Sequence, residues 1–537
     1  MNFFNKHYRS LNESYFQHLK FAFKHGCTLI AAGLAAIIHA ICPFISTSFA
    51  SRTTIALASS FKKRQPGTMG NEDRDRLILD HFISLMSDYI TLQKTESVVH
   101  YLKPEEAAGV IDLNLSQEGL SDEDLVREMQ NYLTYCVHTG HHQFLNQLWS
   151  GFDAVGVTAE LLIALTNTSM YTYDVAPLAT VIELALIRRL SDMLDFPSNS
   201  GGTFVTGGSN GNLVAMLAAR NRCLARNHKP DDLCVIYSDN AHYSMDTAAM
   251  ILGIKERNIF KIAHTADQAM SVKALDEVLR QIISLKKIPC FVAATAGTTV
   301  AGVFDPIDEL AALTTSYPDC WLHVDAAHGG AVLFSAQYQP FLKGSERADS
   351  FVWDAHKTLG APLMCSILLV KDQQNIVFHQ EQSTANDYLY HKDSDHQNFD
   401  LGRTSIQCGR RADCLKLWLM WQRYGTSGIG SIVNHLMSLA SDAEQLISKS
   451  DDLFLICKPV YLNLCFVYKP ARKASIEGAF YYQVKKLLHT HEKTMVNIAK
   501  IEGQDCFRLV LTNKHLTKED IDSFFTTLLH YCKVGLK

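Results

Sequence analysis

Three absences narrow the field before any residue is singled out. The 537 residues include 14 cysteines but no C-x-x-C pair, so neither a zinc ribbon nor a disulfide framework is indicated, and reduced intracellular thiols are the simplest reading. There is no basic excess. Lys and Arg number 50 against 55 Asp and Glu, a formal net charge of −5, which argues against a nucleic-acid partner. No apolar run reaches the ~20 residues that span a bilayer. A metal is not expected either: His141-His142 is the most metal-like spot, but no further ligand stands at ligand spacing, and the pair reads as an ordinary pocket wall.

What is present is the composition of an ordinary folded protein, 47% apolar and 20% charged. The chain is too long for one compact core, so two or more domains are expected. The longest apolar stretch runs from Cys27 to Cys42, broken mainly by His39, and continues through Pro43-Phe44-Ile45. Three readings compete: a membrane-associated helix, a signal peptide cleaved at Ser48-Phe49-Ala50, and a helix packed on the protein itself. The charged lead with Lys6, Arg9, Lys20 and Lys24 is atypical of a signal peptide. We expect membrane contact through residues 27–50, with the chain cytoplasmic and attached to the inner face. Arg52, Lys62, Lys63 and Arg64 follow the stretch, so loop charge gives no orientation.

Residues 65–71, Gln-Pro-Gly-Thr-Met-Gly-Asn, read as a linker. Ile78, Phe82, Leu85, Met86 and Tyr89 then recur at helical spacing. A second helix runs through Leu125, Met129, Tyr132 and Leu133, with Ser121 and Asp124 as its capping start. From 140 to 177 the chain is polar and aromatic. From Phe204 onward short apolar runs alternate with helical ones, which predicts an α/β sheet with sites at strand ends. Strands are expected at 233–237, 289–295, 320–325, 349–353 and 364–370, and helices at 213–225, 272–285 and 306–315. Beyond residue 421 the pattern suits a smaller C-terminal domain, with a strand at 460–468 and a last helix at 518–531.

Two of these strands carry the chemistry. Trp321-Leu322-His323-Val324-Asp325 ends on a carboxylate and is followed by Ala326-Ala327-His328-Gly329-Gly330; Ser350-Phe351-Val352-Trp353-Asp354-Ala355-His356-Lys357 delivers a lysine. An Asp at a buried strand end suits a protonated ring nitrogen, and a nearby lysine can hold an aldehyde. Upstream, Thr206-Gly207-Gly208-Ser209-Asn210-Gly211-Asn212 joins a strand to a helix starting near Leu213, where free amides make a phosphate cradle. Taken singly, Asp325 fits a helix cap, Lys357 a surface lysine and Gly-Gly-Ser a plain turn.

Taken in order, these motifs resemble the group II pyridoxal-phosphate decarboxylases, with glutamate and cysteine sulfinate decarboxylases closest, over roughly residues 72 to 535. The resemblance implies an α/β, aspartate-aminotransferase-like (fold type I) large domain with a mixed, mainly parallel sheet, plus a smaller α/β C-terminal domain. The expected division is 1–64 as an apolar extension, 65–71 as linker, 72–165 as a helical segment for dimer and substrate wall, 166–425 as the cofactor domain, and 426–537 as the small domain. It further implies pyridoxal 5'-phosphate as cofactor, a homodimer with shared active sites, and decarboxylation of a small acidic L-amino acid (glutamate, aspartate or cysteine sulfinate).

By the same resemblance, Lys357 binds the cofactor aldehyde and Asp325 faces the ring nitrogen. His242 stacks on the ring opposite Ala327, with Thr299 close by. Gly208, Ser209 and His356 contact the phosphate. Gln147 and Arg508 meet the substrate, and a guanidinium suits a carboxylate because it binds both oxygens in a fork. Tyr388, in a loop that reaches the partner's site, protonates Cα. Asp354 stands where several relatives carry Asn and receives no role. The stretch Ile406 to Trp418 resembles the acidic-substrate branch. The rival readings are a diaminobutyrate decarboxylase, an aminotransferase or carbon–carbon lyase on the same fold, and an inactive membrane-tethered cofactor-binding protein. The first 64 residues lie outside this resemblance and look somewhat like a small uncharacterised bacterial family.

Overall fold

A computed structural model of the chain describes residues 14–41, 53, 71–115, 117–378, 389, 396, 399–473 and 477–536. It divides into two compact units, residues 1–92 with 102–136, and 93–101 with 137–537.

The first unit holds α1 (Tyr15–Ile41), most of α2 (Asn71–Thr95) and α3 (Asp122–Tyr135). Ser121 caps α3, its hydroxyl accepting from the Asp124 amide at 3.1 Å, and Arg74 grips Asp122 through two hydrogen bonds of 2.8 and 3.1 Å. The helix α1 corrects the length inferred from sequence. It starts twelve residues before Cys27, at Tyr15, because Lys20 and Lys24 lie one turn apart and leave the other faces apolar. Its Phe16–Ala40 stretch is long and apolar enough to cross a membrane, about 40 Å for the whole helix. Phe16, Phe23, Ile30, Leu34 and Ile37 are all exposed. Residues 42–50 lie outside the described residues.

In the second unit α4 (Ala154–Thr166) and α5 (Pro177–Met193) precede the sheet. Then come β1 (Gly201–Val205), α6 (Gly208–Ala225), β2 (Leu233–Ser238), α7 (Ser244–Ile251), β3 (Ile259–Ile262), α8 (Val272–Ser284), β4 (Ile288–Thr295), α9 (Ile307–Thr314), β5 (Trp321–Asp325), β6 (Ser350–Asp354) and β7 (Ser366–Val370). The strand order is β1-β7-β6-β5-β4-β2-β3. Only β7 runs against its neighbours, so the sheet is mixed and mainly parallel, as expected. Alternate residues enter two separate cores: Phe204, Ile236, Val292, Val324 and Phe351 on one face, Val205, Val235, Phe291, Trp321 and Val352 on the other. Burial on both faces is why these strands read as unbroken apolar runs.

The kinked helix α10 (Cys414–Lys449), broken at Gly425, leads to β8 (Leu453–Leu455), β9 (Asn463–Tyr468), α11 (Glu477–Thr490), β10 (Asn497–Ile501), β11 (Gln504–Val510) and α12 (Lys518–Gly535). These four strands form an antiparallel sheet in the order β10-β11-β9-β8. The strand expected ahead of the Gly-Gly-Ser motif is β1, which opens on two glycines; a side chain at Gly202 would strike the Leu368 carbonyl at 2.4 Å. Other elements were not expected from sequence. β3 is a four-residue edge strand. α4 lies within the polar and aromatic stretch, started by Asp153, whose carboxylate accepts from the Gly156 amide at 2.6 Å.

Candidate active site

The carboxyl ends of the parallel strands meet along one edge. Val205 and Asp354 both pair with Ser366, on opposite sides of β7, while Asp325 pairs with Thr295 and Val352. The turns leaving these strands enclose a cavity of about 490 Å³, where an open α/β sheet places its ligand. Gly208, Ser209, His242, Asp325, Ala327, His356 and Lys357 line it, with Gln147 and Thr299.

The cradle begins five residues earlier than the sequence suggested: α6 starts at Gly208, not Leu213. Gly207 turns the chain with φ of +110°, a conformation that favours glycine. A Cβ on Gly208 would sit 2.9 Å from both the Ala327 Cβ and an Asp354 carboxylate oxygen, so only glycine leaves room there. The first amides of a helix have no carbonyl one turn back, and here they open on the cavity, as an anionic group requires.

Asp325 is 4% exposed. Its Oδ2 accepts from Asn212 Nδ2 at 2.8 Å and its Oδ1 from the Ala327 amide at 3.1 Å. Two donors therefore aim and hold this carboxylate at the strand end. His242 Nδ1 lies 2.9 Å from the Ser244 hydroxyl, and burial pushes its pKa down. Lys357 Nζ is 3.2 Å from Asp354 Oδ2, and His356 Nε2 is 3.7 Å from the same oxygen. His356 is also pushed down by burial. Asp354 lines the cavity; it is 2% exposed, and among the described residues its Oδ1 has no hydrogen-bond partner.

Some expected residues lie elsewhere. Arg508 does not line the cavity. It stands one residue behind the wall, donating from Nη1 to the Thr299 carbonyl and from Nη2 to the Asn146 carbonyl, both at 3.1 Å. Tyr388 lies outside the described residues. His141 and His142 stack at 4.1 Å and do not line this cavity; burial lowers His141 to about 4. Among the described residues no group of three or more His, Cys, Asp or Glu could hold a metal. In the Ile406–Trp418 stretch, Arg410 is buried in a two-pronged pair with Glu183, 2.7 Å to each oxygen, which makes it a structural clamp away from the cavity. Sequence reasoning missed Asn212, although it is the last residue of the Gly-Gly-Ser motif and one helical turn from Gly208.

A glycine cradle at a helix start, an aimed carboxylate and a half-buried lysine at one cavity suit a flat, phosphorylated, aldehyde-bearing group. The pyridoxal-dependent decarboxylase conserved domain matches residues 104–469. The chain belongs to the pyridoxal-dependent decarboxylase family. The decarboxylase fold extends beyond that domain: the chain is 32% identical over 472 residues to the acidic amino acid decarboxylase GADL1 of Mus musculus, covering 84% of each. It is 33% identical over 468 residues to the cysteine sulfinic acid decarboxylase of Mus musculus, covering 83% of this chain and 94% of that one. To the glutamate decarboxylase of Drosophila melanogaster it is 33% identical over 417 residues, covering 75% and 80%. The crystal structure of mouse CSAD superposes with a TM-score of 0.81 at 30% identity, covering 86% of this chain and 99% of that one. This decarboxylase is thus a carboxy-lyase whose cofactor is pyridoxal phosphate. Residues 1–64 match a separate family of unknown function, DUF6356.

Proposed function

We propose that this decarboxylase acts on a small acidic L-amino acid, releasing CO2 and the amine. The observation that carries this is Arg508. Its guanidinium is mostly buried, and burial pushes its pKa down with no carboxylate among the groups acting on it. Among the described residues its Nε has no hydrogen-bond partner. A buried cation held, among the described residues, by two carbonyls alone is short of an anion. Those carbonyls belong to Thr299 and to the neighbour of Gln147, both on the cavity wall, so a substrate's distal acid would supply the missing charge. Three relatives named for acidic amino acids, cysteine sulfinic acid and glutamate support the same reading.

Pyridoxal phosphate supplies an aldehyde that takes the substrate amine and a ring that withdraws the electron pair left on Cα when CO2 departs. In this reading the Gly208 and Ser209 amides and His356 would hold the phosphate, while Asp325 would face the ring nitrogen. His242 would pack against the ring on the side away from Ala327, beside Thr299. Lys357 would hold the aldehyde. Gln147 and Arg508 would orient the substrate, and Tyr388 would supply the proton for Cα. We also propose a homodimer that shares its active sites through the loop carrying Tyr388, and a cytoplasmic enzyme attached to the membrane by α1. Purified enzyme with pyridoxal phosphate, given glutamate, aspartate, cysteine sulfinate or diaminobutyrate in turn, should release CO2 from an acidic substrate in preference to diaminobutyrate. Arg508→Met should weaken that substrate far more than a neutral one, since losing a buried charge partner costs ~2–5 kcal/mol. Preference for diaminobutyrate would refute the proposal.

A further inference from the structure

From the cavity wall inward, seven side chains, six of them buried and His242 partly so, form one directed hydrogen-bond chain. A carboxylate offers only acceptors, so the Asn212 atom lying 2.8 Å from Asp325 Oδ2 is the amide nitrogen. The same nitrogen donates its second proton to Ser244 Oγ at 2.9 Å. The Ser244 hydroxyl proton is then free for His242 Nδ1 at 2.9 Å, and the Ser244 backbone amide points at that nitrogen too, at 3.3 Å. With two donors facing it, Nδ1 accepts. The neutral ring therefore carries its proton on Nε2, the edge left for the cavity.

The other end fixes the direction independently. Trp321 Nε1 can only donate, and it gives its proton to Ser350 Oγ at 2.7 Å. Ser350 in turn serves His323 Nδ1 at 2.7 Å, leaving His323 Nε2 to donate to Asn212 Oδ1 at 2.9 Å. Complete burial lowers His323 to about 4, which keeps that ring neutral near pH 7. Asn212, at 1% exposure, is the point where the chain forks to Asp325 and to His242.

We propose that Asn212 is a positioning residue that sets the tautomer of His242 and the aim of Asp325 together, so that His242 presents Nε2–H to the substrate side of the cavity. This rests on the assignment of Asp325 and His242 to the cofactor ring. The groups facing His242 are the Asp325 and Asp354 carboxylates, which favour its cation, Lys357, which opposes it, and the ring of Tyr243 at 4.3 Å. Against that balance, the donors trained on Nδ1 resist protonation there. Without Asn212, the Ser244 hydroxyl can turn and accept from a protonated Nδ1, and the imidazolium becomes easier to form.

The test uses the holoenzyme and four variants. Asn212→Ala and Ser244→Ala should each move the acid limb of the kcat/KM profile upward by about one pH unit, and Ser244→Thr, which keeps the hydroxyl, should restore it. Asn212→Ala should also change the pH dependence of the cofactor's visible absorbance, because Asp325 loses a donor, whereas Ser244→Ala should leave that band as in wild type. An acid limb that stays in place in both alanine variants overturns the proposal, as does a fall in kcat with both limb and band unmoved, which marks packing alone. If Asn212→Ala does not fold, the Ser244 pair decides. Asp325→Asn tests the underlying assignment separately: an unaltered band there refutes the cofactor reading, while an altered band with unmoved limbs in the others refutes the role of Asn212 only.

Discussion

Lys357 and Asp354 are three residues apart at the end of β6, with 3.2 Å between Nζ and Oδ2. Lys357→Ala should abolish the covalently held cofactor, since among the described residues no second lysine lines the cavity. Borohydride reduction followed by mass measurement checks this, and cofactor still fixed to the variant would remove Lys357 from its role. Asp354 presents a buried carboxylate to the Gly208 cradle, where it would face the cofactor phosphate. Asp354→Asn should therefore bind pyridoxal phosphate more tightly, by about tenfold for ~1.4 kcal/mol of relieved repulsion, in a fluorescence titration of the cofactor-free protein. Unchanged or weaker affinity would show that Lys357 already neutralises the carboxylate. Asp325, His356 and Lys357 were legible in sequence because each ends a short apolar strand inside a contiguous motif. Asn212 was not: its bond to Asp325 spans 113 positions, and only the pairing of strands brings the two together.

At the scale of elements, the central strands were legible because both faces of the sheet are buried, which leaves an apolar signature with no gaps. α4 escaped because the capping residues at its ends, Asp153 and Asn167, look like loop chemistry. The Arg410 and Glu183 pair shows a different limit. The motif around Arg410 pointed to function, yet its guanidinium ties the chain before α10 to α5, at 3% side-chain exposure against 0% for Glu183. Arg410→Met leaves a carboxylate buried without its partner, which should cost about 3–5 kcal/mol of stability. Urea denaturation checks this, and a loss under ~1 kcal/mol would mean that water reaches Glu183.

For the whole molecule, deleting residues 1–64 should leave turnover intact and move the enzyme from membrane pellet to supernatant, because every described site residue lies in the second unit. A soluble full-length enzyme would refute the anchoring role, and an inactive deletion would refute independence. Acid should also unfold the second unit early. Burial lowers His323 to about 4 and His328 to about 3, whereas the unfolded chain titrates near ~6.5. The unfolded state thus takes up more protons below that value, and stability falls from about pH 6.5 toward 4, by on the order of 1 kcal/mol per pH unit for each histidine. Thermal melts across this range give the slope; a flat midpoint would mean these rings are charged when folded. The placing of β1 has a consequence for biosynthesis. This strand precedes the phosphate cradle, yet among the described residues it pairs only with β7, Val205 against Ser366. A ribosome must therefore deliver the entire stretch between them before the cradle has a wall, and closing so distant a contact is slow. Cofactor capture must then wait until β7 has emerged, and a nascent chain stalled before Ser366 would not be rescued by added pyridoxal phosphate.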